Sequence, residues 1–293
     1  MNKTIIGILV TQATHPNHYK GKIIGIEEPY LKFFSQYGKV IPIMPNMLPS
    51  EVNIDLLVLP GGADLDPTFT SNGVDLVVGN GAANPYYSQF YKSGFSKWRE
   101  AGVPMLGICL GMQAINVMLG GTITADGPDH NLTFSSTHPI TTYSEKLKIY
   151  GTSTKRAIRR IVNSRHHQFI RITDLSEVLI PVAMGVMNDA TIASDFLAEG
   201  VWGKQGKSSV VEYFYKKEFT KINPIMTHVE AFVHSSEKIC AIQWHPEDLF
   251  RRADPFLRGD FVTHQMIMWL LDNEGANVQK KIHTTPVKTF ETI

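Results

Sequence analysis

The sequence predicts an α/β fold, with a mostly parallel central sheet and helices on both faces. Two observations carry that expectation. Short apolar runs alternate with longer amphipathic ones through the first half of the chain, which is the rhythm of βαβ units whose strands are covered by helices. Turn residues stand near each run, and the strand-to-helix turn after Ile108 is very short.

Taken in order, Ile5–Val10 reads as a buried strand and Glu27–Tyr37 as a helix stopped at Gly38. Val40–Met44, Asp55–Leu59 and Met105–Ile108 read as further strands. Tyr86–Glu100 has helical length, with Phe90, Phe95 and Trp98 for an inner face, and Met112–Leu119 reads as the helix after the short turn. The middle is less regular. Gly185–Thr227 mixes Gly, Asn, Asp and Ser before an aromatic-basic run, VVEYFYKKEF, whose periodicity fits a helix or a strand. Val229–Val233 and Ile239–Trp244 then form an expected β-hairpin around His234–Lys238, and Asp260–Leu271 a closing helix. The expected organisation is a single domain over residues 1–273, with an insert at about 185–228 and a polar tail at 274–293. In sheets of this kind, sites gather at the carboxyl ends of strands.

Composition narrows the function class. The chain has 293 residues, 43% of them hydrophobic, and its 19% charged residues fall below the roughly 25% usual for globular chains. A disordered protein is excluded on those grounds. Twenty-eight basic against 27 acidic side chains give a net charge of +1, so there is no global electrostatic drive toward nucleic acid or an anionic membrane. No run of about 18 apolar residues predicts a transmembrane helix. The amino end has a lysine before an apolar core, as a secretory leader does, but Ile5–Val10 is short for that role and is better read as a strand. Two cysteines, Cys109 and Cys240, are too few for a disulfide scaffold and suit a reducing, cytoplasmic setting.

One of those cysteines stands in a special turn. Gly107-Ile-Cys109-Leu-Gly111 lies between an apolar strand and a helix, the cysteine counterpart of the Gly-x-Ser-x-Gly nucleophile elbow. Such a sharp turn brings neighbouring backbone too close for side chains at the two glycine positions. It thrusts the sulfur outward in front of a helix amino terminus, whose positive end favours a thiolate. The amide of Leu110 then lies where an oxyanion would form. A packed structural cysteine explains the five residues alone almost as well. Cys240, inside an apolar strand without flanking glycines, is expected only to pack.

A thiol nucleophile needs a base and an orienting group. His245-Pro-Glu247 follows the strand Ile239–Trp244, and residues two apart in an extended segment project to one side, so His245 and Glu247 can converge. His15, His18, His130, His138, His228, His234, His264 and His283 are read as surface or core residues without a role. The paired glycines of Pro60-Gly61-Gly62-Ala63-Asp64 follow another buried strand and can present a bare amide as a second oxyanion donor. Asp64 and Asp66 have no further ligands at suitable spacing, so no metal is expected.

These pieces, in this order, resemble the class I glutamine amidotransferase superfamily. Within it the chain is most similar to the free-standing γ-glutamyl hydrolases of the peptidase C26 group, including the bacterial γ-glutamyl-GABA hydrolase type. The matching residues are Leu59-Pro-Gly-Gly-Ala-Asp64 with Pro67, Gly107-Ile-Cys-Leu-Gly-Met-Gln113 with Asn116 and Gly120-Gly121, Val162-Asn-Ser-Arg-His-His-Gln168, Val229-Glu-Ala231 and Gln243-Trp-His-Pro-Glu247. The resemblance implies a Cys109–His245–Glu247 triad, an oxyanion hole from the amides of Gly62 and Leu110, and substrate contacts from Gln113, Ser164 and His166. It implies the flavodoxin-like form of the α/β fold and no cofactor. His167 is read as a polar loop residue.

Leu110 departs from the Arg usual after the cysteine in the hydrolase subgroup and matches glutaminase subunits of biosynthetic amidotransferases. Two further departures are that Tyr86–Glu100 lacks the family's Arg-Asp and Glu at their expected places, and that the insert stands in place of Asp-Gly before Val229. Three readings therefore stand. The first is a hydrolase acting alone on a small-molecule γ-glutamyl amide. The second is a glutaminase that releases ammonia from glutamine for a synthetase partner. The third is an inactive binding or scaffold homologue. Homo-oligomerisation is left open.

Overall fold

The computed structural model describes residues 4–14, 22–62, 65, 85–123, 137–143, 157–163, 165–166, 168–186, 227–248 and 259–272. The first half contains β1 (Ile5–Leu9), β2 (Thr11–Thr14), β3 (Lys22–Gly25), α1 (Glu28–Phe34), β4 (Lys39–Ile43) and β5 (Leu56–Leu59). There follow α2 (Pro85–Gln89), a π-helical stretch Phe90–Gly94, α3 (Phe95–Glu100), β6 (Met105–Ile108) and α4 (Leu110–Met118). The second half adds β7 (Thr137–Tyr143), β8 (Ala157–Asn163), β9 (Ile170–Arg171), β10 (Leu179–Val186), β11 (Thr227–His234), β12 (Ile239–Ile242) and α5 (Gly259–Leu271).

One sheet dominates, in the order β4-β1-β5-β6-β12-β11-β10-β7-β8, with β9 paired to β11. From β4 to β12 every pairing is parallel, and β11, β10, β7 and β8 extend it as an antiparallel wing. The parallel strands are apolar throughout because both faces are covered. Leu57 and Leu59 of β5 pack with the aromatic face of α2 and α3 and with α4, while Leu56 and Val58 pack with α1 and α5. Helices thus lie on both faces, as the βαβ rhythm predicts. Tyr86–Glu100 is helical throughout, and Phe90, Phe95 and Trp98 are its buried face.

The wing is the part that periodicity does not announce. Only its β11–β12 hairpin is predicted. Strands β10 and β11 pair as far as Val186 and Thr227, so the connection between them spans 187–226. That connection, with VVEYFYKKEF, lies outside the described residues, as does the tail. Among the described residues no helix is long and apolar enough to cross a membrane.

The register places three chain segments together. Leu59 of β5 is opposite Gly107 of β6, and Ile242 of β12 is opposite Ile108. The ladder continues one step past β6, where the Cys109 amide donates to the Ile242 carbonyl at 2.8 Å. The turns after β5, β6 and β12 therefore open at one edge, carrying Gly61-Gly62, Cys109 and His245.

The glycines of the elbow are there for lack of room. A Cβ on Gly107 would lie 2.7 Å from the Gly111 carbonyl, and one on Gly111 would collide with the carbonyl oxygen of Leu59. Backbone cannot yield as a side chain can. Gly111→Ala is therefore expected to lower stability by about 2–3 kcal/mol, read from the denaturant midpoint; a loss near zero would contradict the packing described.

Candidate active site

Cys109 sits at the hinge of the elbow with φ 52° and ψ −106°, and is the one non-glycine residue with positive φ among those described. A conformation of this kind costs on the order of 1–3 kcal/mol and persists where the surroundings enforce it. Here β6 holds one side and α4 the other, its first turn closed by the Gln113 amide donating to the Cys109 carbonyl at 3.1 Å. The residue is 6% exposed and stands at the amino terminus of α4. Cys240 is fully buried in β12, and burial pushes its thiol well up.

His245 and Glu247 converge as their spacing predicts. The imidazole Nδ1–H donates to Glu247 Oε1 at 2.6 Å, with both side chains buried. Burial alone would lower the imidazole pKa. The Glu247 carboxylate, and the charge and hydrogen bond of Cys109, outweigh it and raise His245 to about 10. Nδ1 is occupied by Glu247, so the interaction with Cys109 falls to Nε2. Two residues without a predicted role adjoin His245, one at its main chain and one at its ring. Asn163, at the end of β8, accepts the His245 amide at 3.0 Å and donates to its carbonyl at 3.0 Å. Tyr30 of α1 has its hydroxyl 3.5 Å from Nδ1.

The glycine turn after β5 is pinned by two buried phenols. The Gly61 amide donates to Tyr30 Oη at 2.9 Å, and Tyr87 Oη lies 3.0 Å and 2.9 Å from the Pro60 and Gly61 carbonyls. Burial holds both phenols protonated, with pKa values well above the usual. A Cβ on Gly61 would lie 2.6 Å from His245 Cε1, and one on Gly62 would lie 3.0 Å from Leu110 Cδ2. The bare turn thus adjoins the imidazole on one side and the residue after Cys109 on the other. The structure brings together Cys109, His245, Glu247, Gly62 and Leu110.

The residues expected to touch substrate fall differently. Ser164 and His167 lie outside the described residues. Gln113 is buried, its Nε2 donating to the Gln168 carbonyl at 2.9 Å and lying 3.3 Å from Gln243 Oε1. His166 is also buried, its Nδ1 donating to the same Gln168 carbonyl at 3.0 Å. Arg165 donates to Asp248 at 2.7 Å, tying this segment to the turn after His245. His166 Nε2 faces Glu230 at 3.8 Å, where His138 and His228 also converge, at 3.0 Å and 2.6 Å. Burial raises the Glu230 pKa, yet those two imidazoles hold it well below the usual carboxylate range. Asn163 and Glu230 belong to the quoted motifs, so the sequence marks their segments though not their roles. Tyr30, Tyr87, His138 and His228 carry no local signal.

Comparison with known proteins supplies the family. The peptidase C26 family model matches residues 4–199. The glutamine amidotransferase-like protein YvdE of Lactococcus lactis is 24% identical over 256 residues, covering 83% of this chain and 90% of that protein. The structure of PurLQS from Thermotoga maritima superposes with a TM-score of 0.53 at 13% identity, over 92% of this chain and 98% of that one. A GMP synthase subunit protein from Thermoplasma acidophilum superposes with a TM-score of 0.51 at 15% identity, over 97% and 98%; these two likenesses concern the fold. By sequence match, fold and the motifs gathered at one sheet edge, the chain belongs to the peptidase C26 family and is a glutamine amidotransferase-type hydrolase acting on C–N bonds.

Proposed function

We propose that the chain cleaves a γ-glutamyl amide through a γ-glutamyl thioester on Cys109, within one domain spanning 1–273. The observation that carries this reading is the imidazole of His245 held between Glu247 and Cys109, with the cysteine forced into positive φ in front of α4. The Cys109 thiolate adds to the amide carbonyl, and the amides of Gly62 and Leu110 receive the oxyanion. His245, protonated, gives its proton to the leaving amine as the C–N bond breaks. Water then adds to the thioester, His245 takes its proton, and the C–S bond breaks to return the thiolate and a free γ-carboxyl group. Glu247 keeps the ring oriented and stabilises its charged form. Gln113 and His166 shape the glutamyl end by fixing the Gln168 carbonyl that both engage, and Ser164 is proposed as a further substrate contact. The chemistry suits a reducing cytoplasm, since the nucleophile must remain a free thiol.

The second reading, ammonia delivery to a synthetase, is favoured by Leu110 after the nucleophile, and by PurLQS and the GMP synthase protein of like fold. Turnover decides between them. The purified chain alone is expected to release amine from small γ-glutamyl amides, and Cys109→Ala to lose that activity by several orders of magnitude while staying folded. Ammonia release from glutamine only on adding a second protein would reverse the order of the readings.

A diazo-ketone glutamine analogue is expected to alkylate Cys109 and spare Cys240, mapped by peptide mass spectrometry. Label on Cys240 instead would defeat the assignment of the nucleophile.

The imidazolium gives the pH dependence a sign. Its pKa of about 10 exceeds the ordinary 6.5, so the proton for the leaving amine is present at neutral pH and is lost as pH rises through about 10. By linkage, the stability this shift contributes is full below 6.5 and disappears through the same upper range. Glu247→Gln removes a charge that raises the pKa, so the alkaline limb of kcat/KM is expected to move to lower pH. An unmoved limb would show that Glu247 does not act on His245.

A further inference from the structure

Of the cluster around Glu230, only His166 enters the chemistry above. Glu230, on β11, is fully buried. Three imidazoles surround it in a near-equilateral triangle, with ring centroids 5.7 Å apart for His138 and His228, 6.1 Å for His138 and His166, and 6.3 Å for His166 and His228. All three direct Nε2 at one carboxylate oxygen, Oε1. Strand β10 runs between β7, which carries His138, and β11. At the crossing stands Gly185, opposite His228 on one side and Ile140 on the other. A Cβ there would lie 2.5 Å from His228 Nε2 and 3.3 Å from Glu230 Cγ, so the glycine leaves the space in which these rings meet the carboxylate.

The hydrogen bonding of His166 indicates what that space holds. The Gln168 carbonyl can only accept, so Nδ1 of His166 carries a proton. In the neutral ring Nε2 then presents a lone pair to a carboxylate oxygen 3.8 Å away. Two acceptors face each other, an arrangement that calls for a cation between them. Ligating histidines characteristically donate their second ring nitrogen to a main-chain carbonyl in this way. The ligand atoms of His138, His166 and Glu230 lie within 4.8 Å of one another. Ligands about 2.0–2.1 Å from a tetrahedral ion are about 3.3 Å apart, so small side-chain shifts suffice. Among the described residues Glu230 Oε2 is buried without a hydrogen-bond partner, and is available as a second carboxylate contact.

We infer that His138, His166 and Glu230 form a binding site for a divalent transition cation of the zinc class, with His228 donating to the ligating carboxylate from outside. Two imidazoles and a carboxylate select zinc-type ions over magnesium or calcium, which prefer all-oxygen sites. The bound ion joins β7, β11 and the 165–168 segment, and so fixes the Gln168 carbonyl that Gln113 also engages. The site stands whether or not the γ-glutamyl reading does.

The test uses the full chain carrying Cys109→Ser, which removes the thiolate of the candidate active site as a competing ligand. Zinc titration against a chromophoric chelator is expected to show one tightly bound ion per chain, and cobalt substitution the visible bands of a tetrahedral nitrogen–oxygen site without thiolate charge transfer. His228→Gln should weaken binding about 10- to 100-fold, and Glu230→Gln should weaken it further, with circular dichroism confirming that each variant is folded. The Cys109→Ser chain binding no zinc would overturn the inference without reference to any cluster variant and identify the cluster as a proton-held network. So would stoichiometric binding left unchanged in folded Glu230→Gln.

Discussion

The close approach of the backbone at the β6–α4 elbow is the constraint on which the site depends. Gly107 and Gly111 lie against one another, and Gly111 lies against the Leu59 carbonyl, so β5, β6 and α4 approach one another backbone to backbone at these two positions. Cys109 takes the strain of that closure in its positive φ. The enforcing contacts come from elsewhere, from the ladder bond to Ile242 and the helix bond to Gln113. Relaxing the cysteine would mean breaking one of these. A strained nucleophile held in place by unstrained neighbours is pre-organised, so less reorganisation is needed at the moment of attack.

The same closure sets where the base must be. Strand β12 lies beside β6 in parallel register, so the residues just past its end emerge next to Cys109. Shortly beyond Ile242 the chain reaches His245, and Asn163 clamps the backbone of that residue through both its amide and its carbonyl. The clamp fixes the main chain, Glu247 fixes the ring, and Tyr30 links the ring to the glycine turn through the Gly61 amide. Each part of the site is thus held from a different element, and a shift in one is opposed by the others.

What could be read in the sequence follows from how far each contact reaches along the chain. The buried parallel strands announce themselves because both faces are apolar; the run Leu56–Leu59 admits little else. The elbow and His-Pro-Glu are legible because their geometry is complete within five and three residues. Asn163 and Tyr30 act on His245 from 82 and 215 residues away, and no local pattern marks either. Strands β7, β8 and β10 escape for another reason. They carry Pro139, Arg159, Arg160, Pro181 and Gly185, residues that argue against a strand until the neighbouring strand is known. Gly185 weakens β10 as a strand and opens the space that His228 and Glu230 occupy.

The wing also gives a physical reason for a buried polar cluster so near the site. An apolar interior would be less costly to form than three buried polar side chains and a part-buried His138, whose desolvation must be repaid by close contacts. Apolar packing, however, has no direction, whereas the bonds around Glu230 and the Gln168 carbonyl fix distances between named atoms. Strand β8 ends in Asn163, whose side-chain amide must meet both main-chain polar groups of His245 in the turn after β12, and the segment that follows carries His166. A wall free to slide by an ångström would lose that fit. The directional cluster therefore lies where the antiparallel wing, otherwise held by ladder bonds and packing, has to keep a clamp in register with the parallel sheet.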